Sequence, residues 1–454
     1  MTISLATPLL LLATGAPVVF LVRKRVRVAA PLTLVALVAA VALVAAAPDN
    51  ASTDALALQL KLTPLGRLGA LALLAILAVI VADVWLDEPA YNFFPTALGV
   101  GAVVLAVLFL TTPLATYAVL LIGLLLPVGS FTFQVHRNRS VEAAIRHFAF
   151  VSLGGTIGLA ALALAASLPR EQPQSTFVLL VVILYVAFAL KLAVIPFHTH
   201  AALLAAEAPA TALALYFGVL TPMTVIAFVQ ILTQSALLPS IVQLTKVQDL
   251  LLGIGGVSAI GGALLATGAS DLRRLVVCCV ISDLGMALVG VGTFSGPGIV
   301  GGIAIALATG ASATQQLLAA GTLERRADGG PARAARAPLA SAAFVAGGIG
   351  LIGAPPVVAF PGRFYVELMA YAYATWLGAA LVVATVLLLI AQLRVALGLF
   401  SEGLPSWRPE RRPVAGVAGA LIFAALLAGG IAPDAFLRPI AAFAEDFLRA
   451  LRPL

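Results

Sequence analysis

Apolar runs of about twenty residues follow one another along nearly the whole chain. Each is the length a helix needs to cross the ~30 Å hydrocarbon core of a bilayer. In lipid every backbone polar group must bond within its own segment, so such runs are helices. Fourteen fall at roughly 3–22, 28–47, 65–86, 93–111, 113–134, 141–168, 176–196, 209–233, 248–267, 272–292, 298–320, 338–358, 373–400 and 414–431. Hydrophobic residues make up 62% of the chain and charged ones 10%, against about half and a quarter in a soluble domain. The expected fold is an all-α polytopic membrane protein with about 14 transmembrane helices, one membrane domain over residues 1–454. No Lys or Arg precedes the first run and no small-residue cleavage site follows, so it reads as a span rather than a leader.

The net charge of +7 is topogenic and calls for no nucleic acid. If the loop after the first span is cytoplasmic, that side collects Arg23, Lys24, Arg25, Arg27, Arg137, Arg139, Arg146, Arg273, Arg274, Arg325, Arg326, Arg333, Arg336, Arg408, Arg411 and Arg412, which are 16 of the 26 basic residues. The opposite side holds eight, so the positive-inside rule places both termini outside a multi-pass cell inner membrane. Glu324 to Arg336 reads as a surface loop, and Gln234 to Val247 as an interfacial segment. Residues 433–454 read as an amphipathic helix on the outer surface. The adjacent Cys278 and Cys279 read as small core residues.

Inside this apolar background stands Lys191-Leu-Ala-Val-Ile-Pro-Phe-His198. A lysine at the centre of a span costs about 3 kcal/mol or more unless it faces protein or water. Pro196 breaks the helix beside it. Five spans later, Gly353 to Phe364 sets three prolines and two glycines beside a second cation, Arg363. Two broken segments at corresponding places suggest inverted five-helix repeats, 93–233 and 248–400, each supplying a half-channel. Lys191 reads either as a proton-handling switch or as a cap on carbonyls freed by the break. Asp283 lies too deep to snorkel and is a possible partner of Lys191. Arg363 reads as a brace for its own broken helix. His198 and His200 stand by the first break as proton-uptake groups; without a Cys or carboxylate cluster they do not read as a metal site. Glu207 reads as an interfacial residue before a helix start, and Arg394 as a snorkelling one.

The stretch Lys191-Leu-Ala-Val-Ile-Pro-Phe-His-Thr-His-Ala-Ala-Leu-Leu-Ala-Ala-Glu-Ala-Pro209 resembles the Lys-x-x-x-x-Pro-Phe-His-x-Trp…Ala-Glu-Ala-Pro signature of the antiporter-like membrane subunits. These subunits occur in respiratory complex I, Mrp-type cation/proton antiporters and membrane-bound hydrogenases. Asp271-Leu-Arg-Arg-Leu-Val-Val-Cys-Cys-Val-Ile-Ser-Asp-Leu-Gly285 and Gly353 to Phe364 are similar to two further family motifs. Leu60 to Arg67 resembles the segment before the family's third span, and Val141 to Phe148 is most similar to the N or 2 subunit of complex I.

The resemblance implies that a span-five glutamate pairs with Lys191, and that making and breaking this pair moves a proton along a hydrated axis. Several positions depart from that pattern. Ile122, five residues before Pro127, stands where the glutamate is expected; Pro222 replaces a second lysine, Asp283 and Thr309 replace histidines, and His200 replaces the tryptophan. Arginine at 363 stays protonated and is a poor relay. The expected proton or ion path is therefore Lys191, Asp283, Arg363, His198 and Glu207. The expected role is a subunit of a complex I-like oxidoreductase, with other membrane subunits as partners. The alternative is a non-conducting paralogue serving as a structural subunit of a hydrogenase-like, Mrp-like or inorganic-carbon-uptake complex. No redox or nucleotide motif is present, so no cofactor is expected.

Overall fold

A computed structural model describes residues 4–55, 58–86, 92–132, 139–168, 174–235, 245–327, 337–401 and 414–451. Among them 11 helices are long and apolar enough to cross a membrane, and three shorter apolar helices, Ala6–Val22, Phe93–Phe109 and Pro338–Ile352, occupy other expected runs. Length alone therefore supports fewer spans than the expected fourteen. Lipid-facing surfaces carry large bare side chains, such as Val35, Leu164, Leu397 and Leu421. In water such surfaces would drive aggregation.

The chain opens with α1 (Ala6–Val22) and α2 (Val26–Ala46), followed by strands β1 (Ser52–Ala55) and β2 (Leu58–Lys61). The strands pair antiparallel, Ser52 opposite Lys61 and Ala55 opposite Leu58. This hairpin departs from the all-helical expectation. Its four-residue strands are too short to stand out among apolar runs, and the alternation Leu58-Gln59-Leu60-Lys61 is its one local signal. The segment is anchored where Arg67 binds Asp49 at 2.9 Å.

After α3 (Pro64–Leu86), the stretch expected as the first repeat holds α4 (Phe93–Phe109), α5 (Pro113–Leu125), α6 (Val128–Phe131), α7 (Ser140–Ser167) and α8 (Gln174–Leu192). Beyond the break come α9 (Thr199–Glu207), α10 (Ala210–Leu215), a π-helical turn (Tyr216–Leu220) and α11 (Thr221–Gln234). The π turn stands directly before Pro222, whose missing N–H disturbs the α ladder. Thr221 Oγ1 donates to the Tyr216 carbonyl at 3.0 Å.

The second unit holds α12 (Thr245–Thr267), α13 (Leu272–Gly292), α14 (Gly296–Arg326), α15 (Pro338–Ile352), α16 (Ala359–Tyr373) and α17 (Thr375–Leu399). Asp271 caps α13 by accepting from the Arg274 N–H at 2.8 Å, and Ser295 caps α14 by accepting from the Gly298 N–H at 3.2 Å. The stretches α10 to α11 and α13 are buried on every side and form the centre of the molecule. A helix hydrophobic all round belongs there.

Two helices close the chain, α18 (Val414–Ile431) and α19 (Pro433–Leu451). In α19 the buried residues Leu437, Ile440, Ala444, Phe447 and Leu451 recur at helical spacing, while Arg438, Glu445, Asp446 and Arg449 stay exposed. The expected amphipathic helix is present, but its apolar stripe packs on α3 and α14 rather than standing apart from the helical body. Residues 452–454 lie outside the described residues, as do Arg137, Arg333, Arg336, Arg408, Arg411, Arg412 and most of the expected interfacial segment from Gln234 to Val247.

Candidate functional site

Lys191 lies in the last turn of α8. The helix ends two residues on, where Ala193 takes a left-handed backbone with φ of 54°. Pro196 has no N–H to continue the ladder. The backbone groups released here find specific partners. The Lys191 carbonyl accepts from the Tyr216 hydroxyl at 2.9 Å, and the Ile195 N–H donates to Ser258 Oγ at 2.9 Å.

The Lys191 side chain is 1% exposed. Its Nζ sits over the Tyr117 ring, 3.4 Å from the centroid, and 5.6 Å from that of Phe188. Among the described residues Nζ has no hydrogen-bond partner. Two expectations fall here: Lys191 pairs with no carboxylate, Asp283 included, and its side chain caps no freed carbonyl. The hydroxyl of Tyr216 does the capping instead.

Tyr117 was missed by sequence reasoning; the available signal was one tyrosine in an otherwise aliphatic run. Its hydroxyl donates to the Gly154 carbonyl at 2.6 Å, which turns the ring face toward Lys191. Close packing of α7 makes this possible, because a Cβ at Gly154 would lie 2.7 Å from the Ala187 carbonyl oxygen. A Cβ at Gly158 would overlap the Tyr117 hydroxyl itself. Ile122, the expected site of the missing glutamate, is 57% exposed and points away from the interior. The residue that α5 offers to Lys191 is Tyr117.

The second break has a different chemistry. α15 ends at Gly353 with φ of 68°, a left-handed cap that glycine takes without strain. The Leu351 carbonyl would bond the N–H four residues on, but that residue is Pro355. The Arg363 guanidinium takes this carbonyl and also the Asp283 carboxylate. Its other arm donates to Met286 Sδ at 3.0 Å and to Thr385 Oγ1 at 3.3 Å. Thr309 Oγ1 donates to the second Asp283 oxygen at 2.8 Å, and Thr385 Oγ1 donates to Glu367 at 2.9 Å. Arg363 is thus the brace expected from the sequence. Its partner Asp283, read from the sequence as a possible partner of Lys191, belongs to this cluster. Three positions that depart from the family pattern, 283, 309 and 363, are bonded to one another.

His198 stands half-buried at the position before α9 without a side-chain capping bond, and Glu207 lies at the far end of that helix. The Ala208 carbonyl beyond Glu207 accepts from buried Arg273, which pairs with Glu324 at 3.0 Å. Arg394 donates to the Ala269 carbonyl at 2.6 Å. Gln316 and Gln392 exchange amide hydrogen bonds at 2.9 and 3.2 Å across α14 and α17. Uncharged amides carry little weight in a charge-led reading, so these were missed. Among the described residues no cluster of His, Cys, Asp and Glu could hold a metal ion.

The sequence profile of the family described as NADH:quinone oxidoreductase/Mrp antiporter, transmembrane, matches residues 93–388. That stretch holds both broken helices, Lys191, Asp283 and Arg363. The chain belongs to this family. It is 30% identical over 283 residues to NADH-quinone oxidoreductase subunit 13 of Thermus thermophilus, covering 58% of this chain and 57% of that one. It is 25% identical over 295 residues to subunit N of Desulforudis audaxviator, covering 59% and 57%. The chain thus spans a little over half the length of these relatives. Respiratory complex I from Thermus thermophilus contains a chain of the same fold, with a TM-score of 0.82 at 20% identity over 99% of this chain and 100% of that one. The chain is a multi-pass membrane protein of the antiporter-like family.

Proposed function

We propose that this chain is a proton- or ion-handling membrane subunit of a complex I-like oxidoreductase, with its mobile charge confined to the first unit around Lys191. The observation that carries the reading is the Lys191 Nζ, buried against Tyr117 beside a broken helix with no carboxylate on it. A cation–π contact contributes about 2 kcal/mol when desolvated. Burying the lysine costs about 3 kcal/mol or more, so the fold keeps a net-unfavourable group. In a membrane interior such a group is retained for what it does.

The units 93–233 and 248–400 act as an inverted pair in this reading, each folded about its own break. They play unequal parts. Arg363 cannot release its proton and Asp283 neutralises it, so the second unit holds a fixed ion pair. Electron donors, where the assembly has them, are handled by other subunits. Isolation of the tagged chain from its native membranes in mild detergent tests the assembly. Further membrane subunits and a donor-oxidising module should accompany it; a chain that migrates alone overturns the reading.

A second reading, a non-conducting structural subunit, is favoured by one observation. α5 and α6 carry no acid, and the face toward Lys191 is an aromatic ring. The vesicle experiment opening the Discussion separates the two.

Both termini lie outside in this proposal, on the strength of the arginine-rich alternate loops. Alkaline phosphatase fused to the C-terminus should therefore be active in intact cells, and an inactive, fully expressed fusion reverses the orientation.

A further inference from the structure

Next to the Lys191 break, and joined to it through Tyr216, lies a buried histidine pair that the charge path above does not use: His147 of α7 and His200 of α9, both 0% exposed, with ring centroids 5.5 Å apart. Each ring spends one nitrogen on a backbone carbonyl. His147 Nε2 bonds Leu124 at 3.3 Å, an acceptor in the last turn of α5, where carbonyls have no intrahelical partner. His200 Nδ1 bonds Phe197 at 2.9 Å. A carbonyl only accepts, so these two nitrogens carry the hydrogens in the neutral rings. The remaining nitrogens, His147 Nδ1 and His200 Nε2, are lone-pair acceptors, buried and without a partner among the described residues.

Two unsatisfied imidazole acceptors buried side by side are costly unless something donates to them. The surrounding side chains are aromatic. Phe150 stacks on His200 at 4.8 Å, while Tyr216 and Phe131 meet His147 at 4.7 and 5.2 Å. Aromatic rings of this kind stabilise a cation better than aliphatic walls. Tyr216 is shared: its ring touches His147 and its hydroxyl holds the Lys191 carbonyl at the break.

We infer that His147 and His200 form a proton-loading pair, taking up one proton from the aqueous phase and sharing it between them before it passes the Lys191 break. The pair deepens the reading above but is tested by binding rather than by transport, so each can fail without the other. Among the described residues the titratable groups around it are few. α9 brings His198 and Glu207, α8 Lys191 and the π turn Tyr216; α5 adds Tyr117. α13 brings Arg273, Arg274, Cys278 and Cys279, with Arg273 committed to Glu324 and Ala208. On α7 the nearest charges, Glu142, Arg139 and Arg146, pair with one another at the surface.

The chain has four histidines, so the full-length protein in lipid nanodiscs, labelled with ¹⁵N-histidine, gives a readable spectrum. The expected result is one shared titration step for His147 and His200 that takes up a single proton. His200→Phe, which keeps the stacking on Phe150, should weaken proton binding by His147 at least tenfold, about one pH unit. His200→Gln serves the same comparison if the phenylalanine disturbs folding. Independent midpoints, uptake of two protons, or rings that both stay neutral wherever the chain remains folded would each overturn the inference.

Discussion

Lys191→Met in the assembled complex should abolish donor-driven proton pumping in sealed vesicles while leaving donor oxidation and assembly in place. Methionine is unbranched and one heavy atom shorter, so it still packs toward Tyr117 and Phe188 while removing the ammonium group and its charge. The same change should leave the purified chain as stable as the parent or more so, by about 1 kcal/mol. That figure is the difference between a burial cost of about 3 kcal/mol and a cation–π return of about 2 kcal/mol. A lysine kept for structure would behave in the opposite way, losing stability without affecting pumping. Pumping at the parental rate would refute the conducting role and leave the structural-subunit reading.

The largest expected loss of stability lies in the second unit. Asp283→Asn leaves the Arg363 guanidinium buried with its charge uncompensated, and breaking such a pair costs about 3–5 kcal/mol. Arg363 is 3% exposed and also holds the Leu351 carbonyl, so it cannot swing out to water. Thermal unfolding of the chain in detergent should show a clear fall in midpoint. Replacing both partners, Asp283→Leu with Arg363→Met, should recover most of it, because a buried pair exchanged for apolar side chains is often neutral or stabilising. Incomplete recovery measures the brace on Leu351, which methionine cannot supply. Equal losses in the single and double variants would show that the ion pair is not the unit that matters.

The two clusters differ in kind, and the difference bears on mechanism. In the first unit the lysine and the histidines near the break are incompletely paired: Lys191 Nζ, His147 Nδ1, His200 Nε2 and His198 Nδ1 all lack partners among the described residues. In the second unit Asp283 accepts from both Arg363 and Thr309. Unpaired groups can change protonation at modest cost, whereas a bonded guanidinium–carboxylate pair resists it. The asymmetry is what supports charge movement in the first unit and bracing in the second.

The helical membrane architecture, both breaks, the α19 stripe and the burial of Lys191 and Arg363 were legible in the amino-acid order. They rest on local physics: run length against bilayer thickness, proline's missing N–H, and the cost of charge in hydrocarbon. Partnership was not legible. Asp283 read as a possible partner of Lys191, yet it bonds Arg363, 80 residues away in sequence. The span-five position thought to face Lys191 was Ile122, which faces outward, while Tyr117 faces in. A helix rotates its side chains by about 100° per residue, so a few residues of offset change which neighbour a position meets. His147 and His200 looked like isolated residues because the packing of α7 against α9 alone brings them together. The sequence by itself determined the helical membrane class, where two helices break and that Lys191, Asp283 and Arg363 lie deep in it. Which buried charge is paired and which is left free was decided only by tertiary packing, because pairing depends on distances between helices that no local pattern encodes.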